Sequence, residues 1–216
     1  MLAARGGHDV TLVYLTDGQA GVPGLDPAGS AALRRAEAVR ACAALGAVPI
    51  FLGMADGDSV VDDASLGSVR DTLGNLAPDV VVTHWPIDTH RDHRVCSSLV
   101  LDAWVSLGTS FSLYYMEALT GYQTANFVPT DLIDITSVAE VKEAACFAHV
   151  SQGIDAASYV ESHGHGLMAR ARGRECGVEM AEAYIRQEGG PCGGLEPLLN
   201  DPRVPGLARA GLEPRR

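Results

Sequence analysis

Chemistry-bearing residues crowd one short segment of this 216-residue chain, Thr83-His84-Trp85-Pro86-Ile87-Asp88-Thr89-His90-Arg91-Asp92-His93. Asp88, His90, Asp92 and His93 put four groups of ligand or acid and base type within six residues. If a helix starts there, His90 and His93 share one face at i, i+3 spacing, and Asp92 is free to orient one imidazole. Such a pair suits general acid and base work or part of a metal site. The same residues also fit a solvated helix start, in which Asp92 favours the positive end of the helix dipole and the histidines are incidental. A catalytic zinc takes three protein ligands and keeps one position for water, and this segment supplies one or two. The other histidines, His8, His84, His149, His163 and His165, form no second motif of that density. A further polar strand end, Thr16-Asp17-Gly18-Gln19-Ala20-Gly21, reads as a glycine-permitted turn.

The elements that must position these residues alternate. Asp9 to Leu15, Val48 to Leu52 and Asp79 to Thr83 are short, nearly continuous apolar runs, the pattern of strands buried on both faces. Between them, Ser30 to Leu45 has helical spacing with Ser30 as N-cap and Gly46 as terminator, and Ser65 to Leu76 reads as a second helix. Beyond the histidine segment the pattern predicts a helix over 92–107, strands over 112–117 and 132–135, and helices over 137–149 and 168–174. Strand and helix in alternation predict an α/β fold, a Rossmann-like, mostly parallel sheet with helices on both faces. Met1 to Gly6 reads as the last turn of a helix, so the strand expected to open such a sheet is missing. Ligands of open α/β sheets bind beyond the carboxyl ends of the strands, where both polar segments lie. Residues 1–187 are expected to form the domain. Residues 188–216, rich in Gly, Pro and Arg without apolar periodicity, are expected to form a flexible tail.

Composition narrows the partners. Hydrophobic residues make up 47% and charged residues 20%, enough to bury a core. The net charge is −11, and residues 189–216 hold three acids against four arginines, so the body repels polyphosphate and nucleic acid is not an expected partner. No stretch of 18 uncharged apolar residues and no export signal is visible, so neither a membrane span nor secretion is expected. Five widely spaced cysteines, none in a Cys-x-x-Cys pair, disfavour a disulfide framework and fit a reducing cytoplasm.

Several segments, in order, resemble the PIG-L/LmbE-like family of zinc-dependent N-deacetylases. They are Thr16-Asp17-Gly18, Arg34-x-x-Glu37, Asp56-Gly57, Asp88-x-His90-x-Asp92-His93, Lys142, His149-x-Ser151-Gln152, Arg172-Gly173 and Ala181-Glu182-Ala183-Tyr184. The resemblance implies an LmbE-like fold and hydrolysis of a linear amide, removing an acetyl group from an N-acetylated amino sugar or related conjugate. It implies Zn2+ as cofactor with His93 as a ligand, and His90 as the group that stabilises or protonates the tetrahedral intermediate. Asp92 would orient the histidine pair, and Arg34 and Asp56 would contact substrate. Family members assemble into rings or smaller oligomers, so a homo-oligomer is among the assemblies it implies. The family also has an early strand followed by His-Pro-Asp-Asp, which supplies two zinc ligands and the general base. Nothing here matches it, so the zinc site is expected to be incomplete and activity impaired. The expected explanation is a shortened version of a longer enzyme, and the alternative is a ligand-binding or interaction module without catalysis. A nucleotide-binding reading is poorer, because neither glycine-rich phosphate motif follows any strand.

Overall fold

The computed structural model describes residues 1–119, 122–160, 164–191 and 195. The short helix α1 (Leu2–Arg5) leads into strand β1 (Thr11–Thr16), helix α2 (Pro27–Leu45), strand β2 (Val48–Met54), helix α3 (Asp63–Leu76) and strand β3 (Val80–His84). Helix α4 (Arg91–Ser106), strands β4 (Ser112–Met116) and β5 (Asp131–Asp134), helices α5 (Ala139–Phe147), α6 (Ala156–Val160) and α7 (His165–Cys176) and strand β6 (Ala181–Arg186) follow. The mostly parallel α/β fold expected from the alternation is present. β1 runs parallel to β2 and β3 parallel to β4, while β6 adds antiparallel pairing between β4 and β5. The strands fall into two sheets, β1-β2 and β3-β4-β6-β5. β1 therefore pairs only with β2, and β3 only with β4, among the described residues.

Local chemistry explains the boundaries. Asp26, not Ser30, caps α2 by accepting from Gly29 N at 3.0 Å, and Pro27 occupies the first turn, where its missing N–H costs nothing. Ser30 instead lies within the helix, fully buried, and donates to Gly18 O at 2.9 Å. Gly46 closes α2 in the left-handed region at φ 69°, a conformation that a side chain would strain. Asp62 caps α3 through Ser65 N at 2.7 Å, so the helix begins at Asp63, two residues before the expected start. The helix expected over 137–149 begins as a 3-10 turn, Thr136–Val138, before α5. Strand β6 and helix α6 have no counterpart among the expected elements.

Helices cover both faces, with a core on each. One core joins Leu15 with Val69 and Leu73 of α3, Leu99, Val100, Ala103 and Trp104 of α4, and Leu113 and Tyr115 of β4. The other gathers Leu2, Tyr114, Ile133, Ile135, Val138, Ala169 and Met180. Alternation along β4 sends Leu113 and Tyr115 to the first and Tyr114 to the second, as a strand buried on both faces requires. Gly173 sits where α7 meets the following turn, since a Cβ there would come within 2.6 Å of Glu179 O. Of the expected tail, Gly190 lies against Trp104 and Phe111, and Leu195 joins the second core. Residues 192–194 and 196–216 of that tail, and His163, fall outside the described part. Cys42, Cys96, Cys146 and Cys176 are free thiols. No described helix is long and apolar enough to cross a membrane.

Candidate functional site

β3 ends at His84, and α4 begins seven residues later, so the intervening loop lies at the carboxyl end of a parallel strand. The loop is built on a carboxylate. Asp88, its side chain 1% exposed, accepts from His90 N at 2.7 Å and from Gln123 Nε2 at 3.1 Å through Oδ1, and its Oδ2 lies 3.1 Å from His93 Nδ1. Thr89 N donates to Gln123 O at 3.1 Å and Ala125 N to Ile87 O at 3.0 Å, which bridges the loop to the segment around Gln123. Arg94 closes the turn by donating to Asp88 O at 2.7 Å and Thr89 O at 3.0 Å.

His90 is the N-cap of α4. Its Nδ1 accepts from Asp92 N at 3.2 Å, taking the place a Ser or Asp oxygen usually fills. His93, one turn on, stacks against His90 with ring centroids 4.5 Å apart and against His84 at 4.0 Å. The i, i+3 pairing read from the sequence is therefore formed. Asp92 acts otherwise than expected: its carboxylate, 5% exposed as a residue, accepts from Gly57 N at 2.7 Å and Ser59 Oγ at 2.6 Å. It ties the loop after β2 to the start of α4 and orients His90 through its backbone amide. The carboxylate bonded to His93 is that of Asp88. The reason is geometric, because a residue at the first turn of α4 reaches sideways to the neighbouring loop, whereas one before the cap lies across the ring of the residue five positions on.

Electrostatics follow burial and bonding. Burial pushes the Asp88 carboxyl up, but His90 N, the His93 ring and Gln123 outweigh it and hold it below the usual carboxylate range. Asp92 is likewise lowered, with Ser59 and Gly57 outweighing burial. Burial lowers His93, and Asp88 offsets only part of that. His84 is pushed down to about 3 by burial, assisted by neighbouring His93, and its Nδ1 is buried without a hydrogen-bond partner among the described residues.

A pH dependence follows from His84. The unfolded chain protonates this ring near 6.5, whereas the folded one stays neutral to about 3, so acid favours unfolding between those values. At about 1.4 kcal/mol per pH unit, stability falls by about 2 kcal/mol between pH 6.5 and pH 5 from this group. Urea midpoints at pH 7 and pH 5 measure it: His84→Leu is expected to lose that part of the slope, and equal slopes in both proteins would rule it out.

Asp56 follows the end of β2, whereas Arg34 lies within α2, two turns from its start. Asp56 N donates to Asp17 Oδ1 at 3.3 Å, and Thr16 Oγ1 donates to Asp56 Oδ1 at 3.4 Å, joining the loops after β1 and β2. Because Gly57 also donates to Asp92, Asp56 is adjacent to the contact that reaches the histidine loop. Arg34 packs beneath Gly18 and Gly21, where a Cβ would come within 2.8 and 3.3 Å of its side chain. Its Nη1 donates to Glu37 Oε2 at 2.9 Å and lies 3.3 Å from His149 Nδ1. Glu37, 1% exposed in its side chain, also accepts from Ser151 N and Ser151 Oγ, both at 2.7 Å. Arg34 thus belongs to a second cluster with Glu37, His149 and Ser151. The spacing of Arg34-x-x-Glu37 carried a signal for this cluster. Gln123 carried none, because nothing in a single glutamine in a loop indicates that it meets a histidine 30 residues away.

The donor set bears on zinc. Among the described residues, no group of three His, Cys, Asp or Glu side chains could hold a metal ion. Stacking turns the faces of His84, His90 and His93 to one another, an arrangement unlike the converging nitrogens a metal requires. His93 alone offers a ligand nitrogen backed by a carboxylate, so these residues do not fit a complete zinc centre.

A family model described as GlcNAc-PI de-N-acetylase (PIG-L) matches residues 1–104. Among solved structures, the chain is similar to a conserved protein from Thermus thermophilus, TT1542, with 26% identity, 85% of this chain and 84% of that one covered, and a TM-score of 0.69. It shares its fold with N,N'-diacetylchitobiose deacetylase from Pyrococcus horikoshii, at 21% identity, 88% and 78% coverage, and a TM-score of 0.73. GalB, the 4-carboxy-2-hydroxymuconate hydratase from Pseudomonas putida, has the same fold at 20% identity, 90% and 91% coverage, and a TM-score of 0.71. No curated protein matches.

Proposed function

We propose, for a chain whose residues 1–104 match the PIG-L family, that the histidine loop is part of an N-deacetylase site for an N-acetylated amino sugar or related conjugate. The observation that carries this reading is the stacked His90 and His93 pair at the mouth of β3, with His93 backed by Asp88. Amide hydrolysis requires a proton for the departing amine and a donor for the oxyanion. A neutral His90 whose Nδ1 accepts from Asp92 N carries its proton on Nε2, the tautomer able to donate. Arg34 and Asp56 would bind sugar hydroxyls, and both lie on loops at the carboxyl ends of β1 and β2 or the helix beneath them. Zinc would polarise the amide carbonyl and lower the pKa of its water in such a site. The described residues supply one ligand, so activity of the chain alone is expected to be impaired.

A second reading is a ligand-binding module on the same scaffold that does not hydrolyse. The absence of a three-donor group among the described residues favours it, and a hydratase on this fold is a reminder that the scaffold alone does not select a reaction.

Elemental analysis of the chain purified without chelator, paired with acetate release from N-acetylglucosamine conjugates, tests the proposal. Zinc far below one per chain is expected, with acetate release weak or at background and with binding of the acetamido sugar weakened by Arg34→Ala. Zinc bound at one per chain would overturn the incomplete site. A folded chain that neither binds nor cleaves any acetamido sugar would remove the deacetylase reading.

A further inference from the structure

The Asp88 and Gln123 pair surrounds His93 Nδ1 with two incompatible demands. Asp88 Oδ2, 3.1 Å away, requires a proton on that nitrogen, whereas Gln123 Nε2, at 2.9 Å, requires a lone pair. The neighbours decide between them. Among the described residues, Asp88 Oδ2 has one other hydrogen-bonding neighbour, Thr124 Oγ1 at 3.4 Å, and that hydroxyl has a nearer acceptor for its single proton in Ala118 O at 2.8 Å. A neutral Nδ1 lone pair would leave the buried oxygen of an ionised carboxylate facing another lone pair. A proton on Nδ1 merely sets a ring N–H beside an amide N–H, and Gln123 Nε2 still donates to Asp88 Oδ1 at 3.1 Å. Bonds to a charged acceptor are about twice as strong as neutral ones, so the carboxylate wins.

We infer that Asp88 is a positioning residue which holds His93 as the Nδ1–H tautomer while His90 is held as the Nε2–H tautomer, so that two stacked rings expose nitrogens of opposite character. His90 receives its tautomer from a backbone amide at the helix cap, and His93 from a buried carboxylate. Neither Nε2 makes a hydrogen bond among the described residues. One ring therefore offers a donor and the other an acceptor, a pattern complementary to a neutral ligand with a carbonyl oxygen beside an N–H or O–H, as in an acetamido group. The ligand class rests on the deacetylase reading; the tautomers do not.

Long-range nitrogen-15 to proton correlation spectra of the full chain at pH 8, without ligand, read both tautomers directly. His90→Gln and His93→Gln assign the two rings. Wild type is expected to show His90 as Nε2–H and His93 as Nδ1–H. In Asp88→Asn the charge is lost and two amide groups face Nδ1, so His93 is expected to change to Nε2–H while His90 does not. Gln123→Leu removes the competing donor and is expected to leave His93 as Nδ1–H, which a purely structural role for Asp88 would not predict alongside the switch in Asp88→Asn. Wild-type His93 found as Nε2–H, or an Asp88→Asn protein that retains Nδ1–H, overturns the inference. The wild-type spectrum alone suffices if Asp88→Asn does not fold. Failure of acetamido sugars to bind would leave the tautomers standing and count only against the function proposed above.

Discussion

Glu117→Ala is expected to lower the stability of the protein by about 3–5 kcal/mol, the cost of leaving one partner of a buried ion pair alone. Glu117 stands at the end of β4, and Arg172 of α7 meets it with a two-pronged contact, Nε to Oε1 at 2.8 Å and Nη2 to Oε2 at 2.6 Å. The side chains of Arg172 and Glu117 are 10% and 3% exposed, so water does not compensate for the loss of either. Arg172 also donates from Nη1 to both oxygens of Glu175, at 2.9 Å, but Glu175 is 47% exposed in its side chain and its share is correspondingly small. Chemical denaturation of Glu117→Ala gives the expected loss as a lower midpoint. The double replacement Glu117→Leu with Arg172→Met is expected to recover much of it, because the charges are removed together and apolar volume is retained. If the single variant unfolds at the wild-type midpoint, the pair does not secure α7 to the end of β4.

Glu37→Ala is the second large effect, about 2–4 kcal/mol, reduced from the full buried-pair figure because Arg34 is 23% exposed in its side chain. Three donors converge on this carboxylate, from Ser151 N, Ser151 Oγ and Arg34 Nη1. Removing it leaves a partly buried backbone N–H and a guanidinium without this acceptor. It also frees the turn that carries Gln152, whose Nε2 donates to Gly21 O at 2.9 Å, and so loosens the loop after β1. Glu37→Gln retains an acceptor oxygen and is expected to lose less. The pH dependence has a definite sign. Burial pushes the Glu37 carboxyl up, but Ser151 and Arg34 outweigh it and hold it below the usual 4.5. A folded value depressed in this way contributes stability above the unfolded value that disappears as pH falls through the folded one. Denaturation midpoints of wild type and Glu37→Gln should therefore converge as pH falls below the usual 4.5, and midpoints that stay equally far apart from neutral pH into acid would show that the charge of Glu37 contributes nothing.

Much of the scaffold was legible in order along the chain. Apolar runs of strand length, helical periodicity, and Gly46 after Leu45 encode elements through interactions within a few residues, so β1, α2, β2, α3, β3 and α4 were readable. The pairing of His90 with His93 was readable for the same reason, since helical spacing is a local property. What local pattern left open was where a polar side chain goes when several partners compete. Ser30 and Asp26 are both good caps, and the choice fell to Asp26 because Ser30 is needed to hold Gly18. Strand β6 follows a glycine-punctuated turn and reads weakly alone, yet it fills the place between β4 and β5.

At the candidate site the division is sharper. From residue types and spacing alone came two histidines on one helical face and carboxylates around them. Tertiary structure decided which carboxylate serves which ring. Asp92 turns to Gly57 and Ser59, Asp88 to His93, and Gln123 arrives from a loop with no signal of its own. Spacing along a helix fixes which residues share a face, but the proton on an imidazole nitrogen depends on groups brought within about 3 Å by chain segments far apart in sequence.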